Sequence, residues 1–439
     1  MQSPPAHASG FVLSPRQRAY AVAVSCLGWA FDLFDLFILL YVAPILAHAF
    51  FDSSNQMLSL AAVYGAFTAT LVMRPVGGYV FGHYSDRHGR KRTLVVASVG
   101  VGFSTALMGL IPTYQTIGIA APLVFLLLRL VQGVFMGGMV AATHTLGTES
   151  IGPAHRGLAS GIISGGGSGI GKLFASLVFV LVSALIPGPE FAQWGWRVMF
   201  FSGLVSSLLG LFVFTRLQES PLWVALAAER KHVQAPPRGS LSLIRGGFVG
   251  VTLGCVLLTL AGGGSSYLTS GYLPTFLKIV NHVPHTELGL ILSGSALCVI
   301  AASVLSGALT DRIGRRRGML LSGAVSLATI PPLYLGLSNA HGVGAIAFYT
   351  AALSAIGTFC YAPLLIVLNE RFPTEIRSTG TAISWNIGFA IGGSMPTLVS
   401  LLANHVGTLP MTLATVNAVV SLVYLATALF TPETKGVMR

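Results

Sequence analysis

The chain has 439 residues, of which 53% are hydrophobic and only 9% charged, and its formal net charge is +12. Soluble domains carry about 25% charged residues, so with a mean hydropathy of +0.77 there is too little polar surface to coat a soluble fold, and a soluble enzyme is excluded. High apolar content excludes a disordered chain, and the 52 glycines lack the three-residue period of collagen.

One membrane span needs roughly 20 apolar residues. Apolar runs predict twelve helices, over 19–46, 57–81, 93–111, 118–146, 157–186, 197–214, 246–272, 286–308, 318–336, 343–368, 378–402 and 409–430. The expected fold is an all-α membrane protein, with twelve transmembrane helices in two six-helix pseudo-symmetric halves. The halves take residues 19–214 and 246–430. A tail over 1–18, a linker over 215–245 and a tail over 431–439 complete the chain. Cys26, Cys255, Cys298 and Cys360 all fall in apolar runs and read as core thiols rather than disulfides or metal ligands.

The first helix carries Asp32 and Asp35, three residues apart and so on one face. Counted from residue 19, Asp32 lies about 20 Å into the membrane at 1.5 Å per residue. Arg74, toward the inner end of the second helix, reads as an anchor. Arg129 in the fourth helix lies roughly 17 Å above the inner face and Lys172 in the fifth about 22 Å. Ionisable groups at such depth are costly unless paired or hydrated, and they mark function. Two acids and two bases in one layer of the first half are therefore expected to meet around a shared hollow.

In that scheme Asp35 carries a proton with Asp32 as partner, Arg129 stabilises the deprotonated form, and Lys172 holds a substrate carboxylate. The bland alternative is a static set of buried salt bridges that fixes helix packing. Tyr361 in the tenth helix, with Trp385 and Asn386 in the eleventh, line the opposite wall if they face a cavity; packing is the equal alternative.

Lysine and arginine are unevenly spread between the helices. With the N-terminus inside, the inner segments hold 20 and the outer segments two, Arg197 and Lys278. This predicts both termini on the cytoplasmic side of an inner membrane. Bases dispersed over short loops, with no soluble basic domain, also exclude a nucleic-acid partner.

An internal repeat is legible. GHYSDRHGRKR at 82–92 and GALTDRIGRRR at 307–317 share one pattern at an offset of 225. Glu149 precedes Arg156 by seven residues and Glu370 precedes Arg377 by seven, at an offset of 221. Two motifs recurring at nearly one offset imply homologous halves. Their charges, Asp86, Arg90, Glu149 and Arg156 in one half and Asp311, Arg315, Glu370 and Arg377 in the other, are expected to form an ion-pair gate at the cytoplasmic ends. Anchoring by solvated bases is the alternative.

These motifs resemble those of the major facilitator superfamily over almost the whole length. GHYSDRHGRKR resembles the signature between its second and third helices, and RLVQG at 129–133 the Arg-x-x-Gln-Gly element of its fourth. ESPLW at 219–223 and PETKG at 432–436 resemble segments that end the halves of sugar porters and metabolite–proton symporters. Asp-x-x-Asp within WAFDLFDLF is similar to elements of aromatic-acid, lactate and sialate symporters, with Leu33 where the aromatic-acid group carries glycine. The Gly-Pro signature of drug antiporters is absent from 161–171.

The expected function is therefore import of a small organic anion by proton symport, with alternating access and no protein-held cofactor. A monomer is the default. No Gly-x-x-x-x-Gly-Lys-[Ser/Thr] loop implies direct use of ATP, and no nucleophile–base motif implies an enzyme. A carrier of neutral sugars or polyols and a non-transporting nutrient sensor remain the alternatives.

Overall fold

The computed structural model describes residues 15–51, 55–88, 90–149, 151, 153–215, 247–373, 376–403 and 405–435. The linker expected over 215–245 falls outside them apart from its first residue.

Twelve long helical segments make up the described chain. The first half holds α1 (Pro15–Phe50), α2 (Gln56–His88), α3 (Arg90–Met108), α4 (Ala120–Glu149), α5 (Arg156–Leu185) and α6 (Phe191–Phe212). The second holds α7 (Val249–Ile279), α8 (His285–Ile313), α9 (Arg315–Ser338), α10 (Val343–Arg371), α11 (Thr379–Leu402) and α12 (Leu409–Phe430). Eleven contain a window long and apolar enough to cross a membrane; α3 is the twelfth, its first turn occupied by Arg90, Lys91 and Arg92.

The lateral arrangement inverts that of a soluble bundle. On α8, Leu290, Leu297 and Leu305 stand 57–63% exposed at near-heptad spacing, while Ser295, Ser303 and Gly307 are buried. Lipid accepts leucine as readily as a core does, so close helix packing selects small residues instead. Where α5 crosses α8, a Cβ on Gly157 would lie 2.7 Å from the Gly307 carbonyl oxygen, and one on Gly161 would lie 2.4 Å from that of Ser303. Only glycine lets the two halves approach so closely here.

Three helices depart from the expected spans for local reasons. The seventh was expected to stop near residue 272, but it runs on through a π-helical turn, Tyr267–Gly271, and a final stretch, Leu273–Ile279. Pro274 sits in the first turn of that stretch, where its missing N–H has no intrahelical partner to lose. The tenth breaks at Pro363 between Tyr361 and Leu364, and the eleventh between Gly392 and Met395.

Candidate functional site

At the centre, α1, α2, α7, α10 and α11 enclose an aromatic box beside a buried ion pair. Trp29 of α1 donates its indole N–H to the Tyr361 hydroxyl at 2.9 Å and meets Trp385 edge-on at 5.4 Å. Phe67 of α2 meets Tyr267 at 5.2 Å, and Phe389 closes the ring by stacking on Trp385 at 4.5 Å. Two of these rings come from the first half and four from the second. Tyr267 lies in the π-helical turn, a rare geometry that recurs where backbone is re-aimed at a site.

The ion pair is Asp32 with Arg74. Arg74 Nη2 lies 3.0 Å from Asp32 Oδ2 and donates to Oδ1 at 3.2 Å. Both residues are 3% exposed or less, and Tyr267 and Tyr361 lie within electrostatic reach of the pair. The reading of Arg74 as an inner-end anchor is thus corrected. Its guanidinium is drawn inward because a carboxylate stranded on α1 at the same level offers the only charge complement a low-dielectric interior tolerates.

The expected single hollow for Asp32, Asp35, Arg129 and Lys172 also gives way. Three residues along a helix turn Asp35 about 60° from Asp32 and raise it by about 4.5 Å. It faces the interior of the first half, where it accepts from Ser206 at 3.1 Å. A polar string runs on from there. Gln132 donates to Thr105 at 2.6 Å and Arg129 to Gln132 at 2.8 Å, with the guanidinium over the Phe125 and Phe200 rings at 5.3 and 5.7 Å. Arg129 remains within electrostatic reach of Asp35.

Lys172 stands apart. Its ammonium lies 5.0 Å from the centre of the Phe37 ring, and Nζ has no hydrogen-bond partner among the described residues. Phe37 is five residues beyond Asp32, about 7.5 Å along α1. Of the residues expected on the far wall, Tyr361 and Trp385 join the aromatic box. Asn386 turns back to the Ala382 carbonyl of its own helix at 2.9 Å.

At the end bearing the basic loops, the second-half motif forms one network. Arg315 is fully buried and bonds Asp311 at 2.7 Å and Glu370 through two nitrogens, each at 3.2 Å. Asp311 also accepts from the backbone N–H groups of Gly157 and Leu158, at 2.9 and 2.8 Å, which open α5 in the other half. A carboxylate at a helix N-terminus is favourably placed, and here it joins the halves. Glu370 pairs with Arg315 of α9, whereas Arg377 donates to the Asn369 carbonyl at 3.0 Å and Arg156 to that of Ile151 at 3.3 Å. The side chains of Asp86, Arg90 and Glu149 lie outside those described.

Glu433, in the segment read as PETKG, clasps the start of α9. Burial opposes its charge, but backbone N–H groups of Lys435, Arg315, Arg316 and Thr434 together hold its carboxyl below the ordinary value of 4.5. A lowered folded-state value makes the clasp complete above pH 4.5 and loosens it as pH falls through that lower value. Amide exchange over residues 431–435 is expected to accelerate only on acidification into that range. A rate that stays the same as pH falls from 7 to well below 4.5, after correction for intrinsic exchange, would contradict this.

As site residues, Trp29, Phe67, Tyr267 and Phe389 escaped the sequence reading, and Arg74 reads there only as an anchor. A tryptophan three residues before Asp32 was the one available signal, since that spacing puts both on one helix face.

The sequence profile described as the Major Facilitator Superfamily matches residues 25–283 and 255–438. An Escherichia coli inner membrane metabolite transport protein, YhjE, is 33% identical over 400 residues, covering 89% of each chain. The proline/betaine transporter of the same organism is 29% identical over 87% of this chain and 77% of its own, and its alpha-ketoglutarate permease 27% identical over 89% of each. Among solved structures, the proton:xylose symporter XylE bound to a bromodeoxyglucose superposes with a TM-score of 0.73 over 97% of this chain and 98% of that one, at 18% identity.

Proposed function

The chain belongs to the Major Facilitator Superfamily and is a multi-pass secondary transporter of metabolites, and on that footing we propose that it imports a small carboxylate together with a proton, from the side poor in lysine and arginine to a cytoplasm faced by the basic loops of an inner membrane. The observation that carries this reading is the Asp32–Arg74 pair beside the aromatic box. A guanidinium buried within reach of second-half tyrosines is a receptor for a carboxylate, and the aromatic box beside it supplies the apolar walls a small organic molecule needs. The relatives named for proline, betaine and alpha-ketoglutarate support the same chemistry, since each of those molecules bears a carboxylate.

Asp32 occupies Arg74 when no substrate is bound. A substrate carboxylate competes for the same guanidinium, so its entry is easiest when Asp32 holds a proton. Binding then requires the proton, which is symport stated as a competition. Asp35, about one turn nearer the outer end and flanked by the Ser206 hydroxyl and the Thr105–Gln132–Arg129 string, is proposed to receive that proton from outside and supply it to Asp32. Lys172 becomes a way-point for the anion on the outer side of the pair.

Uptake into proteoliposomes with an alkaline interior tests the function. At least one of 2-oxoglutarate, proline and glycine betaine is expected to accumulate, and xylose to be excluded. Accumulation of xylose with none of the three carboxylates would replace this reading with that of a sugar carrier. Loss of counterflow for every solute would favour a sensor. Asp35→Asn is expected to cut gradient-driven accumulation at least about tenfold, a loss of more than ~1.4 kcal/mol of coupling, while counterflow continues. Undiminished accumulation by that variant would remove Asp35 from the proton path.

A further inference from the structure

Outside the central site, a vestibule of about 1050 Å³ opens at the end opposite the basic loops, between α1, α6, α7 and α8. Arg197 and Lys278 both line it. They are the only two lysine or arginine residues that the sequence leaves in segments at this end, where such residues are otherwise depleted. Membrane topology gives no reason for the two to converge on one cavity. His48, His282 and His285 line it as well, and no aspartate or glutamate does among the described residues.

The charges are held but not neutralised. Arg197 donates to the carbonyls of Gly109 and Ile111, both at 2.8 Å, and lies 4.3 Å from the Trp196 ring centre. Carbonyls and rings fix the guanidinium without cancelling its charge. Lys278 is half-buried on the last turn of α7, with no carboxylate within salt-bridge distance among the described residues. Tyr41 forms part of the lining and donates its hydroxyl to the Lys172 carbonyl at 3.1 Å. The unpaired Lys172 ammonium thus lies on the helix segment beneath the vestibule, toward the centre.

From this arrangement we infer that the vestibule is an anion-collecting site, which gathers small carboxylates by the uncompensated charges of Arg197 and Lys278 before they reach the interior. Low-dielectric walls concentrate the field of such charges and raise the local concentration of counter-ions. A cavity of this size accommodates a small carboxylate with part of its hydration shell. The property belongs to the vestibule itself and holds whether or not Asp32 and Arg74 form the transport site.

Tryptophan quenching reads it directly, because Trp194 lines the vestibule and is 63% exposed. Iodide, an anion, and acrylamide, a neutral quencher, are titrated into the purified full-length protein at constant ionic strength. The Trp194 contribution is the part lost in Trp194→Phe. In Lys278→Gln the iodide slope of that contribution is expected to fall about two- to threefold with the acrylamide slope unchanged, and Lys278→Arg to retain the parental iodide slope. Millimolar 2-oxoglutarate, exchanged for chloride at equal ionic strength, is expected to lower the iodide slope of the parent. An iodide slope indifferent to Lys278→Gln would overturn the inference. So would iodide and acrylamide slopes that fall together, which would report altered access rather than charge.

Discussion

Arg74→Gln is expected to reduce carboxylate uptake by about a hundredfold or more while leaving the protein in the membrane. The substitution removes the only cation bonded to Asp32 among the described residues. It leaves a buried carboxylate facing Tyr267 and Tyr361 instead of a guanidinium. Breaking a buried pair from one side costs about 3–5 kcal/mol, and in lipid the stranded group regains no water. A second effect accompanies the first: the receptor for the substrate carboxylate is gone. The double variant Asp32→Asn, Arg74→Gln separates the two, because it removes the stranded charge without restoring the receptor. Its thermal stability is expected to recover toward that of the parent while uptake stays lost. A double variant that transports normally would show that the pair only fixes helix packing.

Asp311→Asn is expected to open the basic end. In the closed arrangement the Asp311 carboxylate accepts two backbone N–H groups at the start of α5 and one nitrogen of Arg315. Hydrogen bonds to a charged group contribute about 1.5–3 kcal/mol each. An amide can replace only part of this set, since one of its two atoms is a donor facing donors. The halves lose a cross-link, and the population shifts toward the state in which α5 and α8 separate. Ser303 is fully buried against Gly161 and Gly165, so a cysteine placed there reports the opening. Labelling of Ser303→Cys by a membrane-impermeant maleimide from the basic end is expected to accelerate about tenfold or more in the Asp311→Asn background. An unchanged rate would mean that the cap is ornamental and the closure rests on the glycine packing alone.

The two variants act at different levels of one molecule. Asp311 and Arg315 bond at the basic end, where Asp311 joins the two halves, whereas Arg74 and Asp32 pair at the centre. Asp35 and Arg129 lie within the first half, on the far side of the Asp32–Arg74 pair from the basic end. On the proposed function, their string of hydroxyl and amide groups offers a proton a place that substrate does not touch. The vestibule at the other end, lined by Arg197 and Lys278, is the third element, proposed to gather anions for the centre.

Sequence alone determined the class, the helix count and the division into halves, and Asp311, Arg315 and Glu370 stand among the eight residues it expected at a gate. Those features follow from rules that act along the chain: a helix in lipid must be about 20 residues long and apolar, and duplicated halves leave their motifs at a fixed offset. It also singled out Asp32, Asp35, Arg129 and Lys172, because a charge within an apolar run is conspicuous without any structure.

Tertiary structure decided who meets whom. A 60° turn between Asp32 and Asp35 sends one to α2 and the other to α6, and no linear spacing states which neighbour lies in either direction. Arg74, overlooked as an anchor, became the partner of Asp32, while the Lys172 ammonium lies over the Phe37 ring with no hydrogen-bond partner among the described residues. The aromatic box gathers rings from five helices whose order in the chain spans more than 350 residues, from Trp29 to Phe389. Aromatic residues are common in any apolar helix, so their convergence is visible only once the helices are packed. Charge was legible because lipid makes it rare, and partnership was not, because packing in three dimensions selects it.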